Sequence, residues 1–468
     1  MNTNNYPVKK SEEVKLQIEK LAYGGKGISR INDYVIFVNN TLPGDLVRAK
    51  IIKRKKNYAT ARLLEIIDSS KLRRPAPCPY FGWCGGCTWQ NLAYSEQLRI
   101  KREQVLESVD HIAGLEQIRV EETIPSPLNF AYRNKMEFSF SDRRWLLPSE
   151  LNNEAHKIDF ALGLHIPGTF DKILDIDNCL LQSEAANNVL NLVKQFCKEK
   201  KIPVYGLRSQ QGFLRFLVIR QSRSSGELMV NIVTHYKEPT LIQPLADQLM
   251  KKIPEVTSVI NTINRQKAQV AYGDEALILN GENHITDQIG EYTFNISANS
   301  FFQTNTIQAE KLYRIVMEYS DLKGNEIVWD LYAGTGTISL FLAERAKIVY
   351  AFELIESAVI DAKKNAQKYK VKNIRFISGD ILDNFHQVSD MPDVIVIDPP
   401  RAGIHPKITE FLNHCEALRI IYVSCNPTTL ARDLEVLSTK YRIIKVQPVD
   451  MFPHTYHIES VTLLERIL

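Results

Sequence analysis

"EIVWDLYAGTGTISL", residues 326–340, joins a short apolar run to a glycine turn and a second apolar stretch. The run reads as a buried strand, and Gly334 and Gly336 allow a tight turn and close approach of backbone to a ligand. Four more runs share this texture: KIVYAFEL, NIRFISGD, DVIVIDPP and RIIYVSCNP, with amphipathic stretches between most of them. Such alternation predicts a doubly wound, Rossmann-like parallel sheet over residues 293–468. From Tyr441 onward two strand-like runs flank a polar, proline-containing loop, which suits an antiparallel pair closing the sheet edge.

Ligands of open parallel sheets bind beyond the carboxyl ends of the strands, so the residues there come first. Ser339 stands where a dinucleotide fingerprint has its third glycine, which disfavours a nicotinamide. The second strand ends in Glu353, placed to accept hydrogen bonds from ribose hydroxyls. Turn and acid together point to S-adenosylmethionine, which needs a ribose-binding acid but no pyrophosphate cradle. A packing glycine and a solvated glutamate are the plain alternative. The third strand ends at Gly379 and Asp380, the position expected to face the adenine. The fourth ends IDPPRAG, where two prolines hold Asp398 rigidly at the pocket mouth. Amino-methylating enzymes carry an aromatic residue after such prolines. Arg401 stands there instead, which argues against methylation of a base amine.

Cys425 ends the fifth strand on the same edge. A pyrimidine C5 is too poor a nucleophile to attack a methyl donor, but a thiolate added at C6 turns C5 into an enolate carbon. After transfer a base must remove the C5 proton so that the thiol can leave. Glu459, in HIESVTLL, is the candidate. A buried inert thiol is the alternative for Cys425.

Upstream, residues 8–70 show short alternating runs separated by Gly24-Gly25 and Pro43-Gly44, which predict a small antiparallel barrel of the OB type. Residues 48–62, RAKIIKRKKNYATAR, hold seven Lys and Arg and no acid. They form either a lysine-protected edge or a phosphate-tracking surface. Residues 71–292 read as a central α+β domain, with a helix at 95–109 capped by Ser95 and another between Ala185 and Lys198; the helical segment 93–124 is expected to pack on the catalytic domain. Cys78, Cys84 and Cys87 form C-x5-C-x2-C in a Pro- and Gly-rich loop, with Cys179 a distant fourth. Their spacing points to a metal centre and does not separate zinc from iron–sulfur. Cys197 and Cys415 are assigned to packing.

The chain of 468 residues is 44% hydrophobic and 24% charged, with net charge +4, so it reads as an ordinary globular protein of about three domains. It has no apolar run long enough to span a bilayer. A polar N-terminus without a secretory pattern points to the cytoplasm.

The segments VSCNPTTLARDL, IDPPRAG, SFFQTN (300–305) and HIESV together resemble the RNA uracil C5-methyltransferase family. The N-terminal segment resembles the TRAM domain that fronts the large-subunit ribosomal RNA members. This resemblance implies Cys425 as nucleophile, Glu459 as general base, and Gln303, Tyr332, Glu353 and Asp398 as S-adenosylmethionine contacts, with Asp398 also near the uracil. It implies Phe301 beside a flipped base, with Phe302 adjacent to it, and Arg133 gripping RNA or pairing with an acid. Resemblance to the cluster-bearing members turns the choice at Cys78, Cys84, Cys87 and Cys179 to a 4Fe-4S cluster. The resulting expectation is a monomeric enzyme forming 5-methyluridine in large-subunit ribosomal RNA. The alternatives are a transfer RNA enzyme, whose typical bacterial form lacks both barrel and cysteine set, and a non-catalytic RNA-binding factor.

Overall fold

The structure is a computed structural model that describes residues 6–115, 117–151 and 158–467. The N-terminal unit is a six-stranded sheet built from Glu13–Gln17, Lys20–Leu21, Gly27–Ile31, Tyr34–Val38, Leu46–Arg54 and Tyr58–Asp68. Alternation builds its core: Tyr34, Ile36, Val38, Val47, Ala49 and Ile51 point inward while Arg48 and Lys53 face out. The expected antiparallel pattern is broken once. Tyr58–Asp68 lies between Leu46–Arg54 and Tyr34–Val38, so two chain reversals leave it parallel to the latter.

The central domain is an eight-stranded sheet covered on one face by helices Glu184–Glu199 and Gln243–Lys252. The first of these is capped by Ser183, whose hydroxyl accepts from the Ala186 N–H. Strands Leu214–Gln221 and Leu228–Thr234 form the antiparallel pair flanking SRSSG. A following hairpin, His284–Ile289 with Tyr292–Ser297, buries Ile285, Ile289, Tyr292 and Phe294 in the same core as the C-terminal sheet.

Helix Tyr94–Ile112 places Val105 and Val109 in one apolar cluster with Leu430 and Leu434 from the C-terminal part of the chain. Ser95 is not its cap. The helix starts at Tyr94, after Ala93, so Ser95 lies within its first turn, and no side chain caps that end.

The C-terminal sheet has seven strands, ordered Ile374–Ser378, Ile348–Glu353, Ile327–Leu331, Val394–Ile397, Arg419–Ser424, Glu459–Arg466 and Tyr441–Val449. The first five are parallel and the last two antiparallel, as the sequence pattern predicts. Helices cover both faces, which is why VIVI and RIIYVS are apolar without alternation. No helix among the described residues is long and apolar enough to cross a membrane.

Candidate active site

The antiparallel strand decides the geometry. Ser424 pairs with Ser460, so Cys425, one residue past its strand, and Glu459, the first of the next, lie across from each other at the carboxyl edge. Asp398 follows the adjacent strand Val394–Ile397 to the same edge. Arg401 comes from the loop after it, whose carbonyl accepts from Asn426 Nδ2 at 3.2 Å. The fold thus brings two loops and a strand start together at one edge of the sheet.

Its electrostatics are those of half-buried acids partly withdrawn from water. Burial raises the Glu459 carboxyl well above its usual range, and Asp398 adds to this while Arg401 opposes it. Burial alone lifts Asp398 to about 7. The Cys425 thiol is pushed up to about 11, by burial first and Glu459 second, against Arg401. Once ionised, Glu459 is therefore a stronger base than a solvated glutamate.

The glycine turn lies on the same edge. Tyr332 leaves strand Ile327–Leu331 at φ +67°, a left-handed conformation costly for a tyrosine. Gly334 has open space where a Cβ would sit, whereas a Cβ on Gly336 would press on Ala362 and Phe376 at 3.0 and 3.1 Å. Gly334 thus faces a void and Gly336 is required for packing. The Glu353 oxygens accept from the N–H groups of Gly334 at 2.9 Å and Ile355 at 2.7 Å, which fixes the carboxylate and leaves lone pairs for hydroxyl donors. Asp380 is exposed and caps a short helix, its Oδ1 accepting from the Leu382 N–H.

Phe302 is 7% exposed and packs on Phe294, while Phe301 is 68% exposed. The Gln303 carbonyl accepts from Asn134 Nδ2 at 2.7 Å, and Tyr313 nearby is buried, with burial first and Asp398 second raising its hydroxyl. Arg133 does not join this group. It lines a cavity of about 420 Å3 together with Cys78, Cys84, Cys87 and Cys179. Burial pushes Cys84 and Cys87 up to about 12, and Cys179 and Cys78 add to the rise of both. No group of three or more His, Cys, Asp or Glu among the described residues could hold a metal ion. The four thiols do open on one cavity, and the Gly86 N–H donates to Cys84 Sγ at 3.3 Å. Four cysteine sulfurs are equally the donor set of a tetrahedral zinc and of an iron–sulfur cluster, so the shared cavity does not choose between them.

Tyr23, Tyr313, Tyr456 and Lys101 also belong to the site or its supports, and sequence patterns did not single them out. Tyr313 sits in an ordinary helical apolar stripe, and Lys101 is wholly buried on Asp450.

Residues 169–467 match the family described as tRNA (uracil-5-)-methyltransferase, and residues 7–64 match the TRAM domain. An uncharacterized RNA methyltransferase of Chlorobaculum tepidum is 43% identical over 91% of this chain and 90% of its own. One from Bacteroides thetaiotaomicron is 41% identical over 95% of this chain and 100% of its own. Among solved structures, the Pyrococcus abyssi tRNA (uracil-54, C5)-methyltransferase in complex with S-adenosyl-L-homocysteine superposes with a TM-score of 0.74 at 31% identity, covering 96% of this chain and 100% of that one. The chain belongs to the RNA uracil-5-methyltransferase family, as an S-adenosylmethionine-dependent enzyme fronted by a TRAM domain.

Proposed function

We propose that the protein methylates uridine at C5 in large-subunit ribosomal RNA, through a covalent adduct on Cys425, acting as a monomer in the cytoplasm. The observation that carries the chemistry is the Ser424–Ser460 register, which sets a thiol and a half-buried carboxyl across from each other at one sheet edge. Bound S-adenosylmethionine supplies an electrophilic methyl group; Gln303, Tyr332, Gly334, Glu353, Asp380 and Asp398 are the residues assigned to hold it. Cys425 adds as thiolate to C6 of the flipped uracil, and the electron pair moves to C5 and the O4 enolate. C5 takes the methyl as the donor's sulfur–methyl bond breaks and leaves S-adenosylhomocysteine, after which Glu459 takes the C5 proton and the C5–H electrons reform the C5–C6 double bond as the Cys425–C6 bond breaks. Arg401, on the same edge, offsets negative charge on the thiolate and enolate. The exposed Phe301 supports a stacking role on a flipped base, and the basic barrel strand supports phosphate contact.

The cysteine cavity is assigned to a 4Fe-4S cluster held by Cys78, Cys84, Cys87 and Cys179. Its position beside Arg133 ties that arginine to the cluster wall as much as to RNA. Transfer RNA is the second reading of the target, favoured by the whole-length likeness to the Pyrococcus abyssi enzyme. The test is donor-dependent tritium release from C5-tritiated uridine in ribosomal and transfer RNA transcripts, with iron and sulfide assayed on the anaerobically purified protein. Release from ribosomal RNA supports the proposal. Release from transfer RNA alone transfers it to the second reading, and release from neither overturns both.

A further inference from the structure

The tip of a barrel hairpin reaches the catalytic edge. Residues 22–26 link strands Lys20–Leu21 and Gly27–Ile31, and Gly24 and Gly25 turn with φ of +99° and +82°. The Ala22 N–H donates to the Lys26 carbonyl at 2.8 Å, and the Gly25 N–H to the Ala22 carbonyl at 2.9 Å. The hairpin is fastened to helix Tyr94–Ile112 by Lys20 with Glu107 at 2.7 Å and by Gln104 Nε2 donating to the Leu21 carbonyl at 3.3 Å. A Cβ on Gly25 would lie 3.4 Å from Trp89 Nε1, so the tip also seats against the end of the cysteine loop.

From this tip Tyr23 donates its hydroxyl hydrogen to the Cys425 carbonyl at 3.2 Å, a contact between residues 402 apart in sequence. Its ring meets Tyr456 edge-on, with centroids 5.6 Å apart and planes at 89°. Tyr456 lies three residues before Glu459, in a segment held elsewhere by Thr88 and Trp89, whose N–H groups both donate to the His454 carbonyl at 2.9 and 3.0 Å. Tyr23 therefore touches the peptide of one reactive residue and the approach to the other. Burial, with Cys425 and Tyr456 adding to it, pushes its hydroxyl up to about 12, so it remains a hydrogen-bond donor through the working pH range.

We propose that the barrel completes the catalytic centre, with Tyr23 as a positioning residue that fixes the Cys425 peptide and braces the segment carrying Glu459. The idea rests on the reading of Cys425 as nucleophile. Loss of the hydroxyl frees the Cys425 carbonyl to rotate, and with it the direction of the thiol toward C6. A barrel that grips RNA on one side and the nucleophile peptide on the other holds substrate and thiol in one frame.

The test compares wild type, Tyr23→Phe and Tyr23→Leu on RNA carrying 5-fluorouridine, whose adduct cannot lose a C5 proton and is trapped. At saturating RNA, Tyr23→Phe should form adduct roughly three- to tenfold more slowly, the effect of one lost hydrogen bond, with KM for RNA and melting temperature unchanged. Tyr23→Leu, lacking the ring, should be slower still. Adduct formation by Tyr23→Phe at the wild-type rate overturns the proposal. So does a loss confined to KM, or one that tracks a lowered melting temperature. If wild type transfers methyl without any adduct, the reading of Cys425 fails first and the proposal with it.

Discussion

Glu459→Gln separates the two halves of the proposed reaction. The amide keeps the side chain's shape at a sheet edge where burial and Asp398 raise the glutamate well above its ordinary range, but it has no basicity to take the C5 proton. Steps before proton removal need only Cys425, the donor and the flipped base. Turnover should fall by about 10^2 to 10^4, the usual contribution of a positioned general base. The methylated adduct, unable to eliminate, should accumulate as a protein–RNA species that survives denaturing electrophoresis. Its amount should approach one per active site within a single turnover and depend on S-adenosylmethionine. A double variant with Cys425→Ala should show none. Turnover within threefold of wild type, or inactivity without the adduct, would refute the assignment of Glu459.

Because the free Cys425 thiol is raised to about 11, kcat/KM for RNA should climb close to tenfold per pH unit from 7 to 9; a plateau below pH 8 would mean the thiolate forms far more readily. Lys101 and Asp450 are both 0% exposed, with Nζ and Oδ1 2.5 Å apart, and the aspartate also accepts from Tyr94. Lys101→Met should therefore cost about 3–5 kcal/mol in chemical unfolding by leaving a buried carboxylate unpaired, and a change under 1 kcal/mol would contradict it. Lys53, Lys55 and Lys56 are exposed at the end of a barrel hairpin, with no acidic partner among the described residues. Replacing all three with alanine should lower the salt slope of RNA binding by ~2, at about 0.7 per phosphate contact; an unchanged slope would place RNA elsewhere.

What could be read from sequence followed from local regularity. The parallel sheet was legible because strands covered on both faces must be apolar throughout, and the strand-end residues followed from where ligands bind in such sheets. Cys425 and Glu459 are 34 positions apart, yet strand order and register bring them together, so naming the edge pair antiparallel was enough to join them. Tyr23 was not legible, since its contact with Cys425 depends on how two domains dock and leaves no periodicity in either. Ser95, a good cap signal, lies inside the first turn, a one-residue difference of the size by which helix ends ordinarily vary. Phe301 and Phe302 are alike as letters; only packing on Phe294 distinguishes the core ring from the exposed one. Arg133 belongs to the cysteine cavity because the loop 78–87 folds over the start of strand Lys135–Ser141, a long-range approach no motif encodes.

The most direct test of the central claim is methyl transfer by Cys425→Ala, measured as donor-dependent tritium release from C5-tritiated RNA alongside RNA affinity. The account predicts that turnover disappears while RNA affinity stays within about twofold of wild type, since only the sulfur is removed. Methylation at the wild-type rate by this variant would contradict covalent catalysis through Cys425.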